Sequence, residues 1–129
     1  LGELLHQLAG AASGRTRIPV DVAIDGDERL PDDVQVTFFR VAQEALHNVV
    51  KHARASEVQM RLVHDERDVA LTIQDDGCGL EGNGSTATGM GLAIMRERVR
   101  AIGAQLRIES PPHTGTTVEV RWTRRIGRS

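Results

Sequence analysis

The chain of 129 residues is predicted to fold as an α+β two-layer sandwich, with a mixed, mostly antiparallel sheet of about five strands covered on one face by about three helices. Two observations carry this. Segments of helical and strand periodicity follow one another in the order α-β-α-β-β-α-β-β. The longest helical segment has one apolar arc and one polar arc, so it can pack on a sheet with a single face.

The elements follow in order. Leu1, Leu4, Leu5, Leu8, Ala9 and Ala12 recur at helical spacing, and Gly14 offers a stop. Ile18 to Ile24 alternates like a strand and ends in the turn-rich Asp25-Gly-Asp-Glu28. Pro31 with Asp32 and Asp33 suits a helix start, where carboxylates meet the positive end of the dipole, and the helix is expected to reach Ala53. Val58 to Val63 and Val69 to Ile73 read as strands joined by the polar turn His64 to Asp68. Leu80 to Thr88 is small, polar and Gly-containing, hence a mobile loop. Leu92, Met95, Val99 and Ile102 form one helical stripe, capped by Gly103. Gln105 to Glu109 and Thr116 to Trp122 are the last two strands, separated by the turn Ser110 to Gly115. The tail, 124–129, is expected to fray. Residues 15–123 thus read as one domain, with no internal repeat.

Composition narrows the function classes. Apolar residues at 40% and charged residues at 26% are ordinary globular values, compatible with one modest core. A net charge of −2 gives no global attraction to nucleic acid or to an anionic membrane. The aromatic residues Phe38, Phe39 and Trp122 offer no stacking platform for bases, so no nucleic-acid partner is expected. Arg96, Arg98 and Arg100 alternate along a helix and spread round the cylinder, as solvated surface does. The single Cys excludes an internal disulfide and suits reducing cytosol. No apolar run nears the roughly 20 residues needed to span a bilayer. The chain starts at Leu1 without Met or signal peptide, which reads as a piece of a longer protein, whose membrane anchoring would lie outside these residues.

The candidate site starts on the long helix. With Glu44 at zero on a wheel of about 100° per residue, Asn48 falls near 40° and Lys51 near −20°, opposite Phe38, Val41, Ala42, Ala45, Leu46, Val49 and Ala53. A carboxylate, an amide oxygen and an ammonium one turn apart are what a Mg-triphosphate needs. The amide can ligate a hard cation, the ammonium can meet phosphate oxygens, and the carboxylate can orient or deprotonate a nucleophile. The same residues also fit a solvated helix face. Lys51 is the only lysine beside fifteen arginines, which suits a phosphate-binding point charge and equally suits chance.

Further along, Asp75-Asp-Gly77-Cys-Gly79 is a strand end breaking into a turn whose glycines can adopt φ > 0. Gly89-Met90-Gly91-Leu92 opens the third helix after the polar loop, where backbone N–H groups and the dipole can hold an anion. Gly115-Thr116-Thr117 is a turn entering the last strand. Cys78 is a small loop filler with nothing in sequence to lower its pKa. No His or Cys pair has metal-site spacing.

Together and in this order, Glu44-Ala-Leu-His-Asn48-Val-Val-Lys51-His52, Asp75-Asp-Gly-Cys-Gly79, Gly89-Met-Gly91-Leu92 and Gly115-Thr-Thr117 resemble the ATP site of the GHKL family: histidine kinases, type II topoisomerases, mismatch-repair ATPases and heat-shock chaperones. The resemblance implies the Bergerat ATP-binding fold, with ATP and Mg²⁺ as cofactors. It implies that Asn48 holds Mg²⁺ on the phosphates, that Lys51 contacts phosphate, and that Glu44 is the general base in hydrolysing members, reaching the ion through water. His52 would contact phosphate or cap its helix. Asp75 would accept the adenine amine, which a buried carboxylate suits because that amine is a donor, while Gly77 and Gly79 let the backbone approach the base. Gly89, Met90, Gly91 and Leu92 would face phosphate, and Thr116 and Thr117 would pack against the pocket, Thr117 reaching the base or a water. Asp76 stands where the family often has Asn and is expected to face solvent.

Within the family, Phe39 to Ala55 and Gly89 to Gly103 with Gln105 to Ser110 resemble the nitrate-sensor type of bacterial sensor histidine kinase, which pairs with LuxR-type response regulators. The short stretch Leu80 to Thr88, lacking the Phe motif of other kinases, matches that type. The resemblance implies a cytoplasmic catalytic domain that transfers the γ-phosphoryl of Mg-ATP to a histidine on a dimerisation domain absent from this chain. Residues 1–14 resemble the end of that dimerising hairpin or a connector. His6 lacks the acidic neighbour of a phosphoacceptor. The fragment is therefore expected to be a monomer that binds ATP without autophosphorylation, while the parent kinase is a dimer. Two other functions share this fold: an anti-sigma-factor serine kinase, and a domain that binds nucleotide only as a ligand.

Overall fold

The computed structural model describes residues 1–26, 30–49, 56–77, 86–109 and 115–123, with only the backbone of residues 15, 16 and 86–92. Its elements are α1 (Gly2–Thr16), β1 (Val20–Asp25), α2 (Asp32–Asn48), β2 (Val58–His64), β3 (Asp68–Asp75), α3 (Thr86–Ala101), β4 (Gln105–Glu109) and β5 (Thr116–Thr123). The strands form one sheet in the order β1-β2-β3-β5-β4. β1 and β2 are parallel, linked through α2, and the other pairs are antiparallel. The expected mixed sheet with three helices is what the chain adopts.

Alternation along the strands assigns the two faces of the sheet. Val58, Met60 and Leu62 of β2, Val69, Leu71 and Ile73 of β3, and Val118 and Val120 of β5 are buried in one core. Their neighbours Gln59, Arg61, Gln74 and Arg107 are exposed, and Thr72, Glu119 and Arg121 are half-buried. On the polar face Arg121 pairs with Asp68 at 3.1 Å and with Glu119 at 3.4 Å. Such exposed pairs contribute about 0–1 kcal/mol each and mainly keep the open face wet.

The helices supply the second layer. α2 buries Phe38, Val41, Ala42, Ala45 and Leu46, of the arc its periodicity predicts, and Val34 in addition. The polar Thr37 is buried in the same helix. Val49 stays helical, its N–H reaching the carbonyls of Ala45 and Leu46; Val50 to Ala55 lie outside the described residues. α1 also enters the core through Leu5, Ala9 and Ala12. Residues 1–14, expected to be the end of a hairpin or a connector, thus share one packed interior with the sheet. α1 passes through exposed Gly14 and ends instead at Arg17, which takes a left-handed φ of 64° and donates its N–H to Ser13 O at 2.8 Å. A glycine permits a stop without enforcing one.

α3 buries Met95 and Val99 and leaves Arg96, Arg98 and Arg100 exposed. It ends as expected at Gly103, with φ of 73°. Ala104 N–H bonds to Val99 O at 3.0 Å and Gly103 N–H to Arg100 O at 3.0 Å, the paired bonds of a Schellman cap. Its start departs from the sequence expectation. The helix opens at Thr86, so Thr86 to Thr88 are helical, not loop. Small polar residues are weak helix formers, yet a first turn needs no intrahelical donors and tolerates them.

Phe38 is fully buried at the centre of α2. Phe38→Ala is expected to cost about 3–5 kcal/mol, measured as a lower urea midpoint with an unchanged slope.

Candidate functional site

Asp75 ends the central strand, paired with Val58 of β2 on one side and Thr116 of β5 on the other. It is the next residue in the row Val69, Leu71, Ile73, so alternation aims its side chain into the layer between sheet and helices. Its exposure is only 6%. Gly77 N–H donates to Asp75 Oδ1 at 2.8 Å. Burial pushes the carboxyl above the usual carboxylate range, against the pull of the Gly77 and Thr116 backbone bonds; neighbouring Asp76 adds to the rise. A buried carboxylate with acceptor capacity left over is a site for a ligand N–H donor.

The Gly-Thr-Thr segment explains itself against this strand end. Gly115 is buried with φ of 92°, a region that L side chains avoid. A Cβ there would run into the carbonyl oxygen of Asp75 and sit 3.2 Å from Asp76 Cα. Only glycine lets β5 begin this close to the end of β3. Thr116 is then buried beside Asp75, and Thr117 is half-buried.

On the helical layer, Asn48 is buried at 9% exposure and Glu44 is half-buried. The polar stripe is therefore sunk into the molecule at its C-terminal end, unlike a solvated face. Lys51, His52, Cys78, Gly79 and Leu80 to Ser85 lie outside the described residues. Gly89, Met90, Gly91 and Leu92 fall inside α3, not at its opening. In a helix starting at Thr86, the backbone N–H groups free for an anion belong to the first turn, ahead of Gly91.

Asp76 is exposed, as expected, and its carboxylate is not idle: Oδ1 accepts Ser56 N–H at 2.8 Å and Glu57 N–H at 3.1 Å, and Oδ2 accepts the Ser56 hydroxyl. That hydroxyl, with the two N–H groups, holds the Asp76 carboxyl below the usual range. No local sequence pattern gives these partners: Ser56 and Glu57 precede β2 and meet Asp76 only through the pairing of Val58 with Asp75. A groove of about 580 Å³ between α1 and α2, lined by Leu4, Val36, Phe39 and Arg40 among others, contains none of the predicted site residues. Among the described residues no cluster of three His, Cys, Asp or Glu could hold a metal, and no helix is long and apolar enough to cross a membrane.

Residues 33–126 match the model of the histidine kinase-, DNA gyrase B-, and HSP90-like ATPase family. The chain is 45% identical over 101 residues to the histidine-protein kinase/phosphatase UhpB of Salmonella typhimurium, covering 78% of this chain and 20% of that protein. It is 33% identical over 109 residues to the nitrate/nitrite sensor NarX of Escherichia coli, covering 84% of this chain and 18% of that protein. The chain spans less than a third of the length of the curated relatives it matches. Among solved structures, the histidine kinase domain of the Erythrobacter litoralis blue-light activated kinase EL346 superposes with a TM-score of 0.72 at 27% identity, over 93% of this chain and 59% of that one.

The raised Asp75 carboxyl makes a stability prediction. Its folded-state pKa exceeds the unfolded value, so the wild-type chain gains relative stability below the ordinary carboxylate pKa and loses it as pH rises through the raised one. Asp75→Asn, which keeps an acceptor for Gly77 N–H without the charge, is expected to melt higher than wild type at pH 7. The gap should narrow on acidification as the wild-type carboxyl protonates, as followed by thermal unfolding at several pH values.

Proposed function

Since the chain belongs to the histidine kinase-, DNA gyrase B-, and HSP90-like ATPase family, we propose that it is the ATP-binding catalytic domain of a sensor histidine kinase of the nitrate-sensor type, binding Mg-ATP and presenting the γ-phosphoryl to a histidine of a dimerisation domain. The observation that carries this is the buried Asp75 carboxylate at the end of β3, braced by Gly77 and walled by Thr116. The adenine amine donates to the free acceptor capacity of Asp75. Gly77 and Gly79 let the backbone come near the ring, whereas Thr117, paired with Gln74, alternates to the opposite face of β5 from Thr116.

Asn48, Lys51 and His52 serve the phosphate end, to which the Gly89, Met90, Gly91 and Leu92 motif is assigned as well. Mg²⁺, when bound with the nucleotide, neutralises phosphate charge and orients the transferring group. The donor set fits an ion of that kind: the side-chain amide of the buried residue Asn48 and a half-buried carboxylate on Glu44. A Mg²⁺ ion keeps several waters and takes few protein ligands alongside phosphates. Glu44 reaches it through water or orients the acceptor. Little covalent chemistry falls to the protein, so positioning and charge neutralisation do the catalytic work. The phosphohistidine would then supply a response regulator of the LuxR type, the pairing its resemblance to nitrate-sensor kinases supports. UhpB is named a kinase and phosphatase and NarX a nitrate/nitrite sensor; those two relatives favour the same branch.

The decisive experiment adds labelled Mg-ATP and, in trans, the phosphoacceptor hairpin of a nitrate-sensor-type kinase. Slow appearance of acid-labile phosphohistidine on the hairpin is expected, slow because tethering normally supplies the effective concentration. No ATP binding by calorimetry would sink the proposal. Asp75→Asn should weaken ATP by about 1–3 kcal/mol, through a lost acceptor in a buried site, and wild type should bind GTP as poorly because a carbonyl then faces the carboxylate. Equal affinity for ATP and GTP would remove Asp75 from that role. Asn48→Ala should abolish the tightening of ATP binding by Mg²⁺; an unchanged Mg²⁺ response would place the ion elsewhere.

A further inference from the structure

We propose that Asp76 is a positioning residue for the triphosphate, acting by pinning the far end of the α2–β2 connection to the exit of β3. This rests on the ATP-binding reading above and adds to it a residue that touches no substrate. The connection between Val49 and Ser56 carries Lys51 and His52 in sequence. Its α2 end is held by helix bonds from Val49 N–H to Ala45 and Leu46. Its β2 end is held by Asp76, which takes both N–H groups of Ser56 and Glu57 and the Ser56 hydroxyl. Two residues onward, Val58 is fastened on both sides, paired with Asp75 and donating its N–H to Pro19 O at 2.9 Å.

The three bonds leave the surface of a solvated residue with no packing to secure it, so their effect is on chain direction more than on the core. Here all three go to one dipeptide, from a side chain adjacent to Asp75. The end of β3 at Asp75 and the residues that close the connection, Ser56 and Glu57, are thereby held in one frame. Without the pin, the connection is first fixed at Val58 instead of Ser56, and ordering Lys51 against phosphate costs more conformational entropy on binding.

Three properties distinguish positioning from a merely structural bond. An amide at residue 76 keeps an oxygen for the two N–H groups and an NH₂ donor for the Ser56 hydroxyl oxygen, so Asp76→Asn preserves the pin. Asp76→Ala removes it. Adenosine, lacking phosphate, needs Asp75 and not the connection.

The test measures displacement of a fluorescent ATP analogue from this chain by ATP and by adenosine, in wild type, Asp76→Ala, Asp76→Asn and Ser56→Ala, each checked for folding by circular dichroism. ATP should weaken about tenfold in Asp76→Ala and a few-fold in Ser56→Ala, stay within twofold in Asp76→Asn, and adenosine should change less than twofold throughout. If Asp76→Ala fails to fold, Ser56→Ala against Asp76→Asn decides the outcome. ATP affinity unchanged in Asp76→Ala, loss in Asp76→Asn equal to that in Asp76→Ala, or equal losses for ATP and adenosine would each overturn the proposal. Failure of wild type to bind the analogue at all would instead overturn the ATP-binding reading.

Discussion

A carboxylate held between a sheet and a helical layer carries a desolvation cost that the surrounding structure must offset, and the architecture near Asp75 is arranged around that cost. Burial of an ionised group without partners is among the most expensive things a small core can contain. The chain meets it with two backbone donors, from Gly77 and Thr116, and both depend on how strands end. Gly77 lies in the turn leaving β3. Thr116 opens β5 and reaches Asp75 only because Gly115 has no Cβ to collide with the Asp75 carbonyl. Replace that glycine and the donor, the strand start and the pocket wall would have to move together.

The two neighbouring aspartates divide the labour by environment. Asp75 is buried and its proton affinity rises; Asp76 is exposed, takes three hydrogen bonds and its proton affinity falls. Adjacent residues on a strand point to opposite faces, which is enough to give two identical side chains opposite electrostatic behaviour. The first keeps unspent acceptor capacity for a ligand. The second spends its capacity on the chain itself.

Much of this was legible in the residues. The buried arc of α2, the alternating strands, the Gly103 cap and the single covered face all follow from period and turn chemistry, which are local properties. What local pattern could not give was pairing. Val20 lies parallel to Val58, and the last strand inserts between β3 and β4, both outcomes of global packing that no short window encodes. The start of α3 was misplaced for a related reason, since Thr86, Ala87 and Thr88 have loop-like composition but occupy a helix whose later turns bury Met95 and Val99. At the site, Asp75 was identifiable from the Asp-x-Gly-x-Gly spacing. The partners of Asp76 were not, because Ser56 lies 20 residues away and approaches only through the β2–β3 register.

The insertion of β5 has a consequence for how the protein is made. β3 runs antiparallel to β5 from Asp68 opposite Thr123 to Asp75 opposite Thr116, so the middle of the sheet waits for the last strand of the described chain. During synthesis β3 would emerge with β2 on one side and a bare hydrogen-bonding edge on the other, its Asp75 side chain still in water. Such an edge invites pairing with another chain, and contacts between residues so far apart in sequence form slowly. A nascent chain stalled after α3 would carry most of its helical layer and yet leave Asp75 without its Thr116 neighbour. Nucleotide could stabilise this domain only after β5 clears the ribosome, which makes ligand a late selector of the finished fold and not a template for its assembly.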